Sequence, residues 1–187
     1  AAGLGGGSSD AAATLRALSQ ISGQVIPPDI MSIGADLPVC LGAQTARMSG
    51  VGEIVTSVPD MPVLNAVIVN PHIPVHTAAV FKRLVVHNNP PMPQHLPIGM
   101  TAHELVEWLG AMRNDLEGPA IEIEPEIKNV LHALEVTPGC NLTRMSGSGG
   151  SCFGLYSDME TAAAAAGRLQ ETYPGWWVTA AHLNGPN

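Results

Sequence analysis

Three short segments carry residue types suited to chemistry on a phosphorylated ligand. The first is Gly3-Leu4-Gly5-Gly6-Gly7-Ser8-Ser9. Glycines let backbone N–H groups approach an anion without obstruction from side chains. Serine hydroxyls add donors, or a ligand for magnesium. Glycine and serine alone read equally well as a flexible linker. What shifts the reading toward a nucleotide's phosphates is the run that follows, Ala11-Ala12-Ala13-Thr14-Leu15-Arg16-Ala17-Leu18, which favours helix, with a serine as its N-cap. A helix start offers unpaired N–H groups and the positive end of the helix dipole. No Gly-Lys-Ser/Thr follows, which excludes a Walker A loop, and no strand stands before the glycines against which to test a dinucleotide fingerprint.

The second segment is Gly34-Ala35-Asp36-Leu37-Pro38. Its carboxylate lies between a flexible glycine and a rigid proline, in an apolar stretch. Such an aspartate either orients a hydroxyl and accepts its proton or closes a turn by binding backbone amides. The third is Ser146-Gly147-Ser148-Gly149-Gly150, between two apolar runs. It reads as a loose hairpin loop or as a second wall of an anion site.

The elements that must position these segments follow from periodicity and punctuation. Ala11, Leu15, Leu18 and Ile21 mark one face of the first helix, Gly23 is its C-cap, and Pro27-Pro28 prevents continuation. Residues 44–48 and 53–58 form a hairpin about Ser49-Gly50-Val51-Gly52. Pro59-Asp60-Met61-Pro62 is a linker, and residues 63–69 are a strand. Residues 86–99, with Pro90, Pro91, Pro93 and Pro97, form an extended loop. Thr101 and Glu104 make a capping box for a helix with Leu105, Trp108, Leu109 and Met112 on its inner face. Ile127, Val130, Leu131 and Leu134 repeat that spacing. Strands at residues 141–145 and 151–156 flank the second glycine loop. Ser157 and Glu160 form a capping box for an alanine-rich helix, and a last strand covers residues 176–181. The pattern is α+β, divided into residues 1–60 and 61–187.

Composition bounds the function. Hydrophobic residues are 45% and charged residues 13% of 187, which gives a buried core. The net charge of −8 argues against nucleic acid or an anionic membrane as a partner. No apolar run of about 18 residues is present. Cys40, Cys140 and Cys152 are isolated, which fits reduced thiols in the cytoplasm better than a disulfide framework or structural zinc. His72, His76 and His103 lack metal-ligand spacing and read as surface histidines, and Glu53 as a solvated turn residue.

Taken in order, GLGGGSSDAA, GADLPVC, GVGE and MSGSGGSCF resemble the GHMP kinases, in particular their cytidyl-methylerythritol kinase branch. Other branches more often read GLGSSA in the first loop. The likeness spans nearly the whole chain. It implies a GHMP kinase fold, with residues 1–60 as the C-terminal part of an ATP-binding domain and residues 61–187 as a ferredoxin-like domain. It implies ATP and Mg²⁺ as cofactors, a small-molecule substrate bearing a cytidine diphosphate group, and a monomer or homodimer. Gly3, Gly5, Gly6, Gly7, Ser8 and Ser9 match positions that hold ATP, with Ser8 a candidate for the metal. Asp36 matches the catalytic aspartate. Val51, Thr77 and Phe81 match substrate positions, with Phe81 available to stack on the base, although Phe81 as core and Thr77 as a helix cap remain open. Gly147, Ser148 and Gly149 match a loop that closes over the site. The chain departs from the branch in two respects. The resemblance implies a preceding segment that carries a lysine partnering Asp36, so that residues 1–187 would be an incomplete catalytic unit, and the stretch between Gly23 and Gly34 is short. Within the same superfamily, homoserine, mevalonate or sugar kinases are the alternatives. Outside it the alternative is a non-catalytic nucleotide-binding remnant.

Overall fold

The computed structural model describes residues 3–93, 96 and 98–185. Part of the proline-rich loop therefore lies outside the described residues. The chain divides into two compact units, Gly5–Met61 and a larger one made of Ala1–Leu4 with Pro62–Asn187. The glycine run thus contributes to both, Gly3 to the larger and Gly5, Gly6 and Gly7 to the smaller.

In the smaller unit, helix α1 spans Gly6–Ser22 and α2 spans Leu37–Gly42, with a 3₁₀ turn at Ile30–Ser32 between them. Strands β1 (Ala46–Ser49) and β2 (Ile54–Ser57) pair as an antiparallel hairpin, with Ser49 opposite Ile54. Helix α1 begins earlier than propensity suggests. Its N-cap is Gly5, in the left-handed conformation at φ 64°, and no side chain caps it. The serine cap expected from the sequence is therefore replaced by a backbone cap, and Ser8 and Ser9 lie inside the first turn. The C-cap is as expected: Gly23, also left-handed at φ 68°, donates its N–H to the Ser19 carbonyl. The buried face is centred on Ala12, with Ala11 and Leu15 beside it, packed on Ile30 and Leu37. Leu18 and Ile21, expected on that face, are 56% and 84% exposed. The short unit is only deep enough to cover the first half of the helix.

The larger unit holds strands β3 (Leu64–Asn70), β4 (Cys140–Met145), β5 (Cys152–Tyr156) and β6 (Trp177–Leu183). They form an antiparallel sheet in the order β4-β5-β3-β6. Helices α3 (Thr77–Arg83), α4 (Ala102–Gly110), α5 (Glu117–Ile123) and α6 (Glu126–Glu135) lie between β3 and β4, and α7 (Met159–Thr172) lies between β5 and β6. Strand order and helical crossovers are those of a ferredoxin-like fold. Val67 and Val69 of β3 meet Ile127, Val130 and Leu134 of α6 and Ala162, Ala165 and Leu169 of α7 in one core. Small residues let α7 lie close to the sheet.

The Thr101–Glu104 capping box forms in both directions, with the Glu104 N–H donating to Thr101 Oγ1 and the Thr101 N–H donating to Glu104 Oε2. The Thr101 N–H and hydroxyl, both donating to Glu104 Oε2, hold that carboxyl below its usual range. The second expected box is displaced by one residue. Asp158, not Ser157, caps α7 by accepting the Thr161 N–H at 2.7 Å. Ser157 is committed elsewhere: its hydroxyl accepts from Asn141 and its carbonyl from Asn65.

The packing predicts a contrast between two apolar residues. Ile127→Ala removes a fully buried side chain and is expected to cost about 2–5 kcal/mol. Leu18→Ala is expected to stay within about 0.5 kcal/mol of wild type. Urea unfolding of both variants measures the difference.

Candidate active site

The smaller unit brings three of the predicted segments together. Ser9 donates its N–H to the Gly5 carbonyl at 2.8 Å, which closes the first turn of α1. The N–H groups of Gly6, Gly7 and Ser8 precede any intrahelical partner and point out of the helix start. A Cβ placed on Gly5, Gly6 or Gly7 would meet nothing within 4 Å. The space above these amides is open, as an anion cradle requires.

The turn that carries Asp36 is packed against the first turns of α1 through its neighbours. Leu37 is 1% exposed, in the core with Ala12 of α1. The Leu37 N–H donates to the Gly34 carbonyl at 3.1 Å, folding residues 34–37 into a turn. A Cβ on Gly34 would come within 3.8 Å of the Ser8 hydroxyl, and the Ser9 hydroxyl lies 3.7 Å from the Cys40 sulfur. Asp36 is the N-cap residue of α2, yet its side chain makes no capping bond and is exposed. The turn-closing role open to it in the sequence is not the one it takes; the carboxylate is left available to a ligand.

The hairpin turn completes the group. The Glu53 carboxylate accepts the Val51 N–H at 2.6 Å and lies against Gly50, whose φ is +69°. Glu53 is thus the exposed turn residue expected from the sequence, and its carboxylate also shapes the turn. A Cβ on Gly52 would lie 3.0 Å from the Ala35 carbonyl oxygen, so this turn abuts the residue before Asp36. Val51 stands 80% exposed at its tip.

The larger unit assembles a second group around residues 146–150. Gly147, Gly149 and Gly150 all have positive φ, at 55°, 110° and 91°. A Cβ on Gly149 would crowd Met145, Val75 and Ile127 of the core, at 3.0, 3.4 and 3.5 Å. Gly3 belongs here: its carbonyl accepts the Ser146 hydroxyl at 2.6 Å. A Cβ on Gly3 would clash with the Ser146 carbonyl and lie 2.7 Å from that of Gly149. Unlike Gly5, Gly6 and Gly7, Gly3 is thus required by protein packing. Thr77 Oγ1 and Ser148 Oγ are hydrogen-bonded at 2.8 Å. Thr77 is the first residue of α3, not its cap, which is His76. Phe81, one turn further along, is 51% exposed while its neighbour Val80 is fully buried. Its expected alternative as core is excluded, and its ring has a free face. Arg83 on the same helix pairs with Glu122 of α5 at 3.1 Å.

Sequence reasoning missed Asn114. Its side-chain amide donates to the Met145 carbonyl at 3.0 Å and the Gly147 carbonyl at 2.8 Å, while its oxygen accepts the Leu116 N–H at 3.0 Å. The Asn114-Asp115 pair just before a helix is a turn signal, but nothing in it indicates a loop 33 residues away. Asn70 was missed likewise; its amide donates to the Ser151 hydroxyl at 3.0 Å and its oxygen accepts the His72 N–H at 2.7 Å. The thiols of this unit offer no nucleophile. Burial raises that of Cys140, and burial together with the charge of Glu117 pushes that of Cys152 up to about 12.

Residues 1–52 match the GHMP kinases N terminal domain and residues 101–175 match GHMP kinases C terminal. A 4-diphosphocytidyl-2-C-methyl-D-erythritol kinase of Cereibacter sphaeroides is 47% identical over 99% of this chain and 68% of its own length. The chain belongs to the 4-diphosphocytidyl-2-C-methyl-D-erythritol kinase family. Within that family, the kinase of Dinoroseobacter shibae is 49% identical over 95% of this chain and 62% of its own length. A crystal structure of a 4-(cytidine 5'-diphospho)-2C-methyl-D-erythritol kinase superposes with a TM-score of 0.78 at 31% identity, covering 98% of this chain and 67% of that one. A homoserine kinase from Cytophaga hutchinsonii shares the fold, at a TM-score of 0.61 and 17% identity over 97% of this chain and 65% of that one. The chain spans about two thirds of the length of the relatives it matches. No described helix is long and apolar enough to cross a membrane.

The two kinds of glycine predict opposite behaviour. Gly3→Ala forces a side chain into the left-handed region and against two carbonyls. It is expected to cost at least about 1–2 kcal/mol and to speed amide exchange at Ser146 and Gly149. Gly6→Ala is expected to leave both stability and that exchange as in wild type. Thermal unfolding and hydrogen-exchange mapping of the two variants test this.

Proposed function

We propose that this protein transfers the γ-phosphoryl group of ATP to the 2-hydroxyl of 4-diphosphocytidyl-2-C-methyl-D-erythritol, a step of isoprenoid biosynthesis. The observation that carries the reading is the pairing, within one unit, of an open glycine-led helix start with the exposed, uncommitted carboxylate of Asp36. The named relatives supply the substrate.

In this reading the N–H groups of Gly6, Gly7 and Ser8 bind phosphate oxygens, and Gly5 holds the turn that exposes them. Ser9 donates its hydroxyl to the same anion. Asp36 orients the substrate hydroxyl and accepts its proton as the oxygen–phosphorus bond forms. The bond from the γ-phosphorus to the bridging oxygen breaks, and its electron pair leaves with ADP. Most of the acceleration comes from alignment and from donors aimed at the equatorial oxygens. Val51 lines the substrate side of Asp36. In the larger unit Thr77, Gly147, Ser148 and Gly149 contribute contacts to substrate, and Phe81 stacks on the cytosine.

The oxygen donors present suit magnesium. The hydroxyl of Ser8 has no hydrogen-bond partner among the described residues. No cluster of three His, Cys, Asp or Glu able to cage a metal occurs among the described residues, so Ser8 would share the ion with phosphate oxygens and water. When bound, the ion offsets the charge that gathers on the phosphates.

Two variants separate chemistry from nucleotide binding. Asp36→Asn is expected to lower turnover by about 10²–10⁴ while leaving ATP affinity near wild type. Gly6→Val has room for its side chain in the free protein and is expected to weaken ATP binding with the fold retained. Steady-state assays and titration with a fluorescent ATP analogue give both readings; near-normal turnover of Asp36→Asn would refute the role of the carboxylate.

Recognition of the base predicts a separate effect. Phe81→Ala is expected to raise KM for the cytidine-bearing substrate by the worth of one stacking contact, about 1–3 kcal/mol. Because Phe81 is half exposed, its loss should leave the thermal midpoint nearly unchanged. A fall in stability without a change in KM would count against stacking.

A further inference from the structure

We propose that Asn114 is a positioning residue that aims the backbone amide of Ser148 at the ligand, an inference resting on the kinase reading given above. Asn114 stands in the short turn before α5, outside every glycine motif. All of its amide capacity on the loop side is spent on two carbonyls, those of Met145 and Gly147. Its remaining oxygen is fixed by the Leu116 N–H, so the side chain is clamped at both ends. In a trans peptide the C=O and the N–H of the next residue point in opposite directions. Holding the Met145 carbonyl therefore directs the Ser146 N–H the other way, where it donates to the Ser151 carbonyl at 2.9 Å. Holding the Gly147 carbonyl directs the Ser148 N–H away from Asn114. That amide has no partner among the described residues. The Ser148 hydroxyl is bonded to Thr77, so the free N–H sits on a residue already tied to the substrate helix.

The glycines explain why an external clamp is needed. A flip of the Gly147–Ser148 peptide turns ψ of Gly147 and φ of Ser148, and glycine at 147 accepts its half of that change more readily than any other residue. Such a flip would turn the Gly147 carbonyl outward in place of the Ser148 N–H, and a donor would become an acceptor. Two hydrogen bonds from one rigid amide oppose that flip. Glu117 offers an internal comparison. Its carboxylate accepts the Met145 N–H at 2.9 Å, and so it anchors the end of β4 but not the peptide at Gly147.

Asn114→Asp tests the inference in the intact protein. The change keeps shape and the acceptor for Leu116 while removing both donors to the loop. Turnover is expected to fall by about 10–100-fold, the scale of a misaligned contact, with KM for ATP little changed and the thermal midpoint lowered by the carboxylate that faces two carbonyls. NMR of residues 146–150 should show altered Gly147 and Ser148 amide shifts. Glu117→Gln should lack the turnover effect. Wild-type turnover in Asn114→Asp, or an equal loss in Glu117→Gln, would overturn the proposal. A wild-type protein that fails to phosphorylate the cytidyl substrate would instead sink the kinase reading, and the NMR shifts would still report whether Asn114 controls the peptide.

Discussion

The burial of Leu37 against Ala12 is the contact on which the candidate site of the smaller unit rests. Leu37 is almost wholly removed from solvent, beside a helix residue that has no side chain beyond Cβ. Alanine at position 12 lets α2 approach α1 closely, and Asp36 is the residue immediately before Leu37. Its carboxylate is therefore held by the packing of its neighbour. No hydrogen bond of its own is needed, and none is made. Arg16 strengthens the same contact by donating to the Cys40 and Leu41 carbonyls at 3.0 and 3.3 Å, where a cation also suits the C-terminal end of the α2 dipole. A functional group positioned in this way keeps all its lone pairs for the ligand.

Glycine has two distinct uses in the chain. At Gly6 and Gly7 the backbone is ordinary helix and the neighbourhood is empty, so the missing side chains leave room for something outside the protein. At Gly3 and Gly149 the space is already taken, by carbonyls in one case and by Met145, Val75 and Ile127 in the other. There the missing side chain allows two protein segments to touch. The positive φ of Gly147, Gly149 and Gly150 then lets a tight loop close between β4 and β5. Such a loop is mobile unless held, which accounts for the number of polar side chains around it: Ser146 on Gly3, Thr77 on Ser148, Asn70 on Ser151 and Asn114 on two carbonyls.

Local signals were enough for much of the fold. The hairpin about residues 49–52, the Thr101 capping box and the apolar stripe of α6 each depend on residues within a few positions of one another, and each formed as read. The α+β character and the glycine loops were legible for the same reason. The failures come from longer range. Leu18 and Ile21 continue the helical period of α1, but periodicity does not tell how far a partner surface extends. Ser157 has the spacing of a cap, yet Asn141 and Asn65 claim it across the sheet. Helices α2, α3 and α5 are too short for a periodic pattern, and residue packing, not propensity, sustains them. In the site, Asp36 and the glycines were visible as types in a motif, whereas Asn114 and Asn70 act on loops distant in sequence and carry no local mark of it.

The charge of the protein fits this division of labour. Residues 5–61 contain two basic side chains, Arg16 and Arg47, against five acidic ones, and Arg16 is spent on the end of α2. A polyphosphate bound at the start of α1 would be met chiefly by backbone dipoles, and any metal would supply the concentrated positive charge. Backbone N–H groups attract an anion only when it fits within hydrogen-bonding distance, and their field falls away within a turn of the helix. Lysine and arginine patches, by contrast, draw any polyanion from a distance. A cradle lined by backbone amides in an acidic unit would therefore favour a compact phosphate group that fits it over an extended polyanion. Selectivity of this kind depends on the amides keeping their direction, and so the side chains that hold glycine peptides in place matter to binding as much as those that touch the ligand.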